Sequence, residues 1–122
     1  MRKFLMSLFA LGLSSREGTL ARALEDADAA YQAGDYEKAL RGYRLAAEQG
    51  LANAQINLGY MYALGQGVEQ DNVLAHMWFS LAAAQGDADG VKNRDIAASL
   101  MTPAQIAEAQ KLAQGWMAAE PQ

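Results

Sequence analysis

The sequence predicts an all-α domain, a short solenoid of stacked antiparallel helix hairpins. Its clearest sign is an internal echo. Asp35, Ala39, Tyr43, Ala46, Ala47, Gln49 and Gly50 recur 36 positions later as Asp71, Ala75, Phe79, Ala82, Ala83, Gln85 and Gly86. A fixed period in that range marks stacked helical units, each too small to bury its own apolar face. Composition agrees. The chain is rich in alanine, the best helix former, and carries only two prolines, Pro103 and Pro121. No stretch of four or more residues alternates as a half-buried strand does.

With 122 residues the chain is long enough for one modest core and no more. It contains no cysteine, which excludes a disulfide framework and thiolate chemistry. The formal charge of −4 leaves no basic stripe for phosphates, so nucleic acid is not an expected partner.

Residues 1–15 have the order of a secretory signal peptide. Arg2 and Lys3 come first, then an apolar run from Phe4 to Leu13, then Ser14 and Ser15. The run is too short to span a bilayer, which takes roughly 20 residues, so no transmembrane span is expected. The expected location is periplasmic or secreted, otherwise cytoplasmic. The alternative for this segment is an amphipathic first helix packed on the solenoid. Residues 16–19 read as a linker, with Thr19 as N-cap of the first helix.

The repeat domain spans 20–120, with hairpins at about 20–50, 52–86 and 88–119. Leu20, Leu24, Ala27 and Tyr31 follow helical spacing up to Gly34, and Asp35 caps the next helix. That helix carries Tyr36, Ala39, Leu40, Tyr43 and Ala47 on one face and stops at Gly50. In the second hairpin Ala54, Leu58, Met61 and Tyr62 share a face, and Gly59 offers a flat patch for close packing. The Gly65-Gln-Gly67-Val68 loop follows, its glycines suited to positive φ and Val68 turned inward. Asp71 caps the helix bearing Ala75, Trp78, Phe79 and Ala82. The third unit is a degenerate cap. Thr102-Pro103-Ala104-Gln105 forms a capping box ahead of a helix with Ile106, Ala109, Leu112, Ala113 and Trp116 on one side.

These residues carry a family resemblance. Ala54, Leu58, Gly59, Tyr62, Gly65, Gly67, Val68, Asp71, Ala75, Trp78, Phe79, Ala82, Ala83 and Gly86 stand at the unbroken spacing of the Sel-one-like repeat (SLR) family, kin of the tetratricopeptide repeats. The first unit, Ala30 to Leu40, lacks the Gly-x-Gly-Val loop and looks more like an ordinary tetratricopeptide turn. The resemblance implies a right-handed superhelical scaffold that binds proteins or peptides in a groove, often in bacterial envelope or signalling pathways. Some relatives are cysteine-rich secreted proteins suspected of binding cell-wall fragments, and this chain has none of their cysteines.

No catalytic constellation can be assembled. His76 is the only histidine, and its place beside Ala75 and Trp78 predicts a solvent-facing or groove-edge side chain. Asp87-Ala-Asp89-Gly90 lacks the glutamate that a calcium loop needs at its twelfth position, where Ala98 stands, and reads as a turn with a helix cap. Gly65-x-Gly67 has no preceding strand and no following lysine, so it is not a phosphate loop. No catalytic residue, metal ligand or cofactor is expected.

The expected function is a non-catalytic scaffold for a protein or peptide partner. Candidate groove positions lie between the packing residues of the first helices: Asp26, then Gln55, Asn57 and Tyr60, then Asn93. Of these, Asn57 and Tyr60 combine adaptable hydrogen bonding with an aromatic contact. Trp116 and Met117 are expected on an exposed end face, where self-association could occur. Two rivals remain: a binder or modifier of peptidoglycan fragments, and a structural accessory subunit held through the apolar solenoid end.

Overall fold

The computed structural model describes residues 18–119, which form six helices and, among the described residues, no strand. Helix α1 covers 18–32, α2 Tyr36–Glu48, α3 Ala52–Leu64, α4 Asn72–Ala84, α5 Ala88–Ala98 and α6 Pro103–Ala119. The signal reading of residues 1–15 lies outside the described residues. Gly18 and Thr19 are already helical, so Thr19 does not cap α1 and the expected linker does not extend to residue 19.

The helix starts follow from local chemistry. Asp35 accepts from the Lys38 amide, Asp71 from the Leu74 amide, and Asp87 from the amides of Asp89 and Gly90. Each satisfies donors that an N-terminal turn leaves unpaired. The expected capping box is present: the Thr102 amide donates to Gln105 Oε1 at 2.9 Å, and the Gln105 amide to Thr102 Oγ1 at 3.1 Å.

Helix α4 is the hub, with α3, α5 and α6 all packed against it. Ala75, Met77, Trp78, Phe79, Leu81 and Ala82 of α4 are buried, facing Leu58 and Met61, the largest fully buried side chains. Closeness between α3 and α4 depends on Gly59. A Cβ built there would fall 2.5 Å from the Phe79 ring. The loop after α3 needs glycine for two reasons: Gly65 and Gly67 have φ of 67° and 70°, and a Cβ on Gly67 would meet the Tyr36 carbonyl oxygen at 2.7 Å. Val68 packs on the core as expected.

The third unit departs from a simple hairpin. Helix α6 packs on α4 rather than on α5, and Trp116 lays its ring on Trp78 with centroids 5.2 Å apart. Trp116 is therefore half-buried and part of the core margin, not a free end face, whereas Met117 and Leu112 on the same helix are exposed. The divergence of α5 and α6 opens a hollow of about 620 Å³ between them.

His76 reaches that hollow's floor from α4 and is 2% exposed, contrary to the expected solvent-facing position. The reason is α6, whose return across α4 covers a face that the second hairpin alone would leave open. Burial, then the nearby Arg94 charge, push its imidazole below the usual histidine range, with Asp95 opposing.

Two predictions follow from this packing. Gly59→Ala gains helix propensity but must displace Phe79, and overpacking wins, costing about 1–3 kcal/mol in denaturant unfolding. Gly115, with open space around it, is the control. Gly115→Ala should stabilise by about 0.5–1 kcal/mol, and an equal gain at both sites would contradict the close approach. For His76 the sign is fixed by a folded pKa below the unfolded value of about 6.5. Its contribution is complete above that pH and is lost as pH falls through the folded pKa, since the unfolded chain then binds the extra proton. Tm should drop on acidification, and His76→Gln should lose less of it; parallel wild-type and variant profiles would refute the assignment.

Candidate functional site: a tyrosine-lined hollow on the first-helix face

The first helices of the three hairpins, α1, α3 and α5, share one face, and the sequence-predicted groove residues divide there into two kinds. Gln55 is 4% exposed. It donates from Nε2 to the Ala47 carbonyl oxygen at 3.2 Å and accepts from Gln85 Nε2 at 3.0 Å. Gln85 also donates to the Gly50 carbonyl oxygen at 2.8 Å. This chain of bonds clamps the first repeat to the second, so Gln55 is an internal fastener and not a groove residue. Asn93 is buried as well, with its Nδ2 donating to the Tyr60 hydroxyl at 2.8 Å. It supports the face from behind. Asp26 is exposed and takes no part in the cluster.

Asn57 and Tyr60 do come together, with Tyr31 from α1 and Tyr43 from α2, around a hollow of about 150 Å³. Tyr60 remains 40% exposed and meets Phe79 edge-on at 5.6 Å between centroids. Tyr31 stacks at a tilt on Tyr36, 5.2 Å away, and meets the edge of Tyr43 at 6.5 Å. The Tyr31 hydroxyl donates to Gln66 Oε1 at 2.9 Å, which ties the hollow to the glycine loop. The Tyr43 hydroxyl donates to Asp28 Oδ1. Burial, then that bond, hold the Tyr43 phenol above its ordinary range, so it stays protonated as a donor.

Asp28 and the two upstream tyrosines were missed as site residues, although the sequence held a signal. Asp28 and Tyr31 are three apart, as are Asn57 and Tyr60, and i,i+3 pairs share a helix face. Matching the two pairs takes an offset of 29. The packing residues of α1 and α3 match at 31 instead, Ala27 with Leu58 and Tyr31 with Tyr62, which sets Asp26 opposite Asn57.

The larger hollow between α5 and α6 brings Ser80, His76, Arg94 and Asp95 near one another, but not as a nucleophile and base. Ser80 Oγ donates to the His76 carbonyl oxygen at 2.7 Å and lies 3.2 Å from His76 Nδ1. Its proton is thus committed within its own helix. Asp95 is engaged by the Arg94 guanidinium at 3.1 Å. Among the described residues no group of three or more His, Asp or Glu side chains could hold a metal ion, and no helix is long and apolar enough to cross a membrane.

Comparison with known proteins places the architecture. The Sel1 repeat matches twice, at residues 6–51 and 52–87. The first unit is therefore a family repeat too, despite its lack of the Gly-x-Gly-Val loop. A curated relative, an exopolysaccharide production negative regulator of Rhizobium leguminosarum bv. viciae, is 44% identical over 57 residues, 47% of this chain and 21% of that protein. Among solved structures, a protective antigen present in uropathogenic Escherichia coli strains and displaying an SLR fold is similar with a TM-score of 0.79 and 34% identity. That match covers 84% of this chain and 23% of the antigen, so the chain spans less than a quarter of either relative. Repeats of this kind generally serve as protein-interaction scaffolds. By its two matched repeats and its stacked helix pairs, the chain belongs to the Sel1 repeat family.

Proposed function

We propose that the chain is a non-catalytic scaffold that binds an extended peptide segment of a partner protein across the face formed by α1, α3 and α5. The observation that carries this reading is the hollow walled by Tyr31, Tyr43, Asn57 and Tyr60, contributed by three helices of two successive repeats. Tyrosine gives large contact area at low entropic cost, and asparagine gives adaptable bonds to peptide backbone. The fasteners behind it, Gln55 and Asn93, hold the face in shape before a ligand arrives, which lowers the cost of binding. Negative regulation of exopolysaccharide production, for which the Rhizobium relative is named, is compatible with action by binding.

The test is selection of random dodecapeptides displayed on phage against the immobilised protein. Selected peptides should bind the wild type, and Asn57→Ala combined with Tyr60→Ala should weaken them by about tenfold or more while far-UV circular dichroism remains helical. Failure to enrich any peptide, or affinity unchanged in the double variant, would overturn the reading.

We further propose that the protein acts in the bacterial envelope, on the strength of the Arg2-Lys3 start and the apolar run from Phe4 to Leu13. Intact mass after separation of periplasm from cytoplasm checks this. A periplasmic species shortened by about 12–15 residues is expected; a full-length cytoplasmic species would reject export and make residues 4–13 part of the working protein.

A further inference from the structure

We propose that the tyrosine-lined hollow is a receptor for one cationic side chain, the ammonium of lysine or the guanidinium of arginine, presented by the bound peptide. The inference rests on the scaffold reading for its setting and on three separate features of the hollow for its chemistry.

The direction of the hydrogen bonds is the first. Tyr31 spends its hydroxyl proton on Gln66, and Tyr43 spends its proton on Asp28. What these two hydroxyls have left to offer a visitor is lone pairs. A group with donors and no acceptor, which describes ammonium and guanidinium, is matched to such a surface. Donors for a carboxylate or phosphate are left only on the other wall, where Tyr60 accepts from Asn93 and keeps its own proton and Asn57 carries an amide.

Charge is the second. Asp28 accepts one hydrogen bond from Tyr43, and a carboxylate has room for about four. It has no cationic partner among the described residues, where the Arg94–Asp95 pair is the one ion pair. Asp28 does not itself line the hollow, but its bond from the Tyr43 hydroxyl holds a negative charge without an ion-pair partner against a wall residue. The chain as a whole is also acidic, with a formal charge of −4, which favours encounter with basic segments.

The third feature is the wall itself. Three tyrosine rings surround a space of about 150 Å³, the scale of one amino-acid side chain. Aromatic rings attract cations through their quadrupole, and the methylene stem of lysine or arginine packs on the same rings. Ring, carboxylate and lone pairs therefore select for the same chemical class.

The experiment is a titration of the isotopically labelled full chain, followed by amide chemical shifts. The probes are Nα-acetyl-lysine methylamide, Nα-acetyl-arginine methylamide and the neutral Nα-acetyl-norleucine methylamide. Shifts at Asp28, Tyr43, Asn57 and Tyr60 should saturate with the cationic probes at least about fivefold more tightly than with norleucine. Asp28→Asn keeps an acceptor for Tyr43 while removing the charge, and it should lower that preference by about two- to fivefold, the aromatic wall keeping the remainder. Equal binding of lysine and norleucine probes would overturn the inference, and so would shifts confined to another surface. Neither result needs the variant to fold. The two proposals fail separately. Peptides enriched without lysine or arginine, and insensitive to Asp28→Asn, would reject the cation receptor and leave the scaffold standing. Cationic probes that bind while no peptide is ever enriched would do the reverse.

Discussion

The contact of the Phe79 ring with the bare backbone of Gly59 sets the spacing on which the rest of the molecule depends. It lets α4 sit close enough to α3 for Leu58 and Met61 to be sealed, and it leaves α4 at the centre of the stack. The same ring touches Tyr60 edge-on, so one side chain fixes the hairpin and orients a wall of the hollow. Its neighbour Trp78 points elsewhere and receives Trp116 from α6. Two adjacent aromatics of α4 thus divide the work, one joining the middle repeat to itself and the other joining it to the C-terminal helix. The C-terminal helices α5 and α6 pack on α4 directly, whereas the first repeat reaches it through α3, on which α2 packs.

Much of this was legible because it is local. Asp35, Asp71, Asp87 and the Thr102/Gln105 pair act within a few residues of themselves, and the glycines of the α3–α4 loop are dictated by backbone angles. Periodicity likewise reported which faces are apolar. What it could not report is which repeat covers a polar residue that its own hairpin leaves open. Gln55, Asn93 and His76 all look exposed within their helix pairs. Each is covered by a neighbour far along the chain: Gln55 by Gln85, Asn93 by Tyr60, His76 by α6. In a solenoid the polar gaps in a packing pattern belong to two populations, fasteners between repeats and ligand contacts. Only the stacking separates them.

The register error around Asp28 has a related cause. Packing residues of α1 and α3 align at an offset of 31, but the Asp28–Tyr31 and Asn57–Tyr60 pairs correspond at 29. The turn after α1 is short and the loop after α3 is long, so the two units differ where their first helices end. Tyr31 shows the consequence, reaching past its own hairpin to Gln66 in that long loop. A core alignment tracks volume, and two places along a helix are about 200° around it, so a register set by the core does not carry the surface chemistry with it. Surface chemistry is therefore the part of a repeat protein least well transferred from one unit to the next.

The hollow's energetics indicate what kind of recognition it can provide. An exposed carboxylate is worth about 0–1 kcal/mol to a cation it meets, and a cation over an aromatic ring about 0.5–2 kcal/mol. Together these amount to roughly one or two factors of ten in affinity, a preference and not a grip. Tight binding would have to come from backbone and side-chain contacts spread along the face of α1, α3 and α5, where a cationic residue would set the register of the segment. Such a division suits a scaffold built from repeats. The repeated face supplies length, and the hollow where aromatic rings, a nearby carboxylate and two committed hydroxyl protons coincide supplies the anchor.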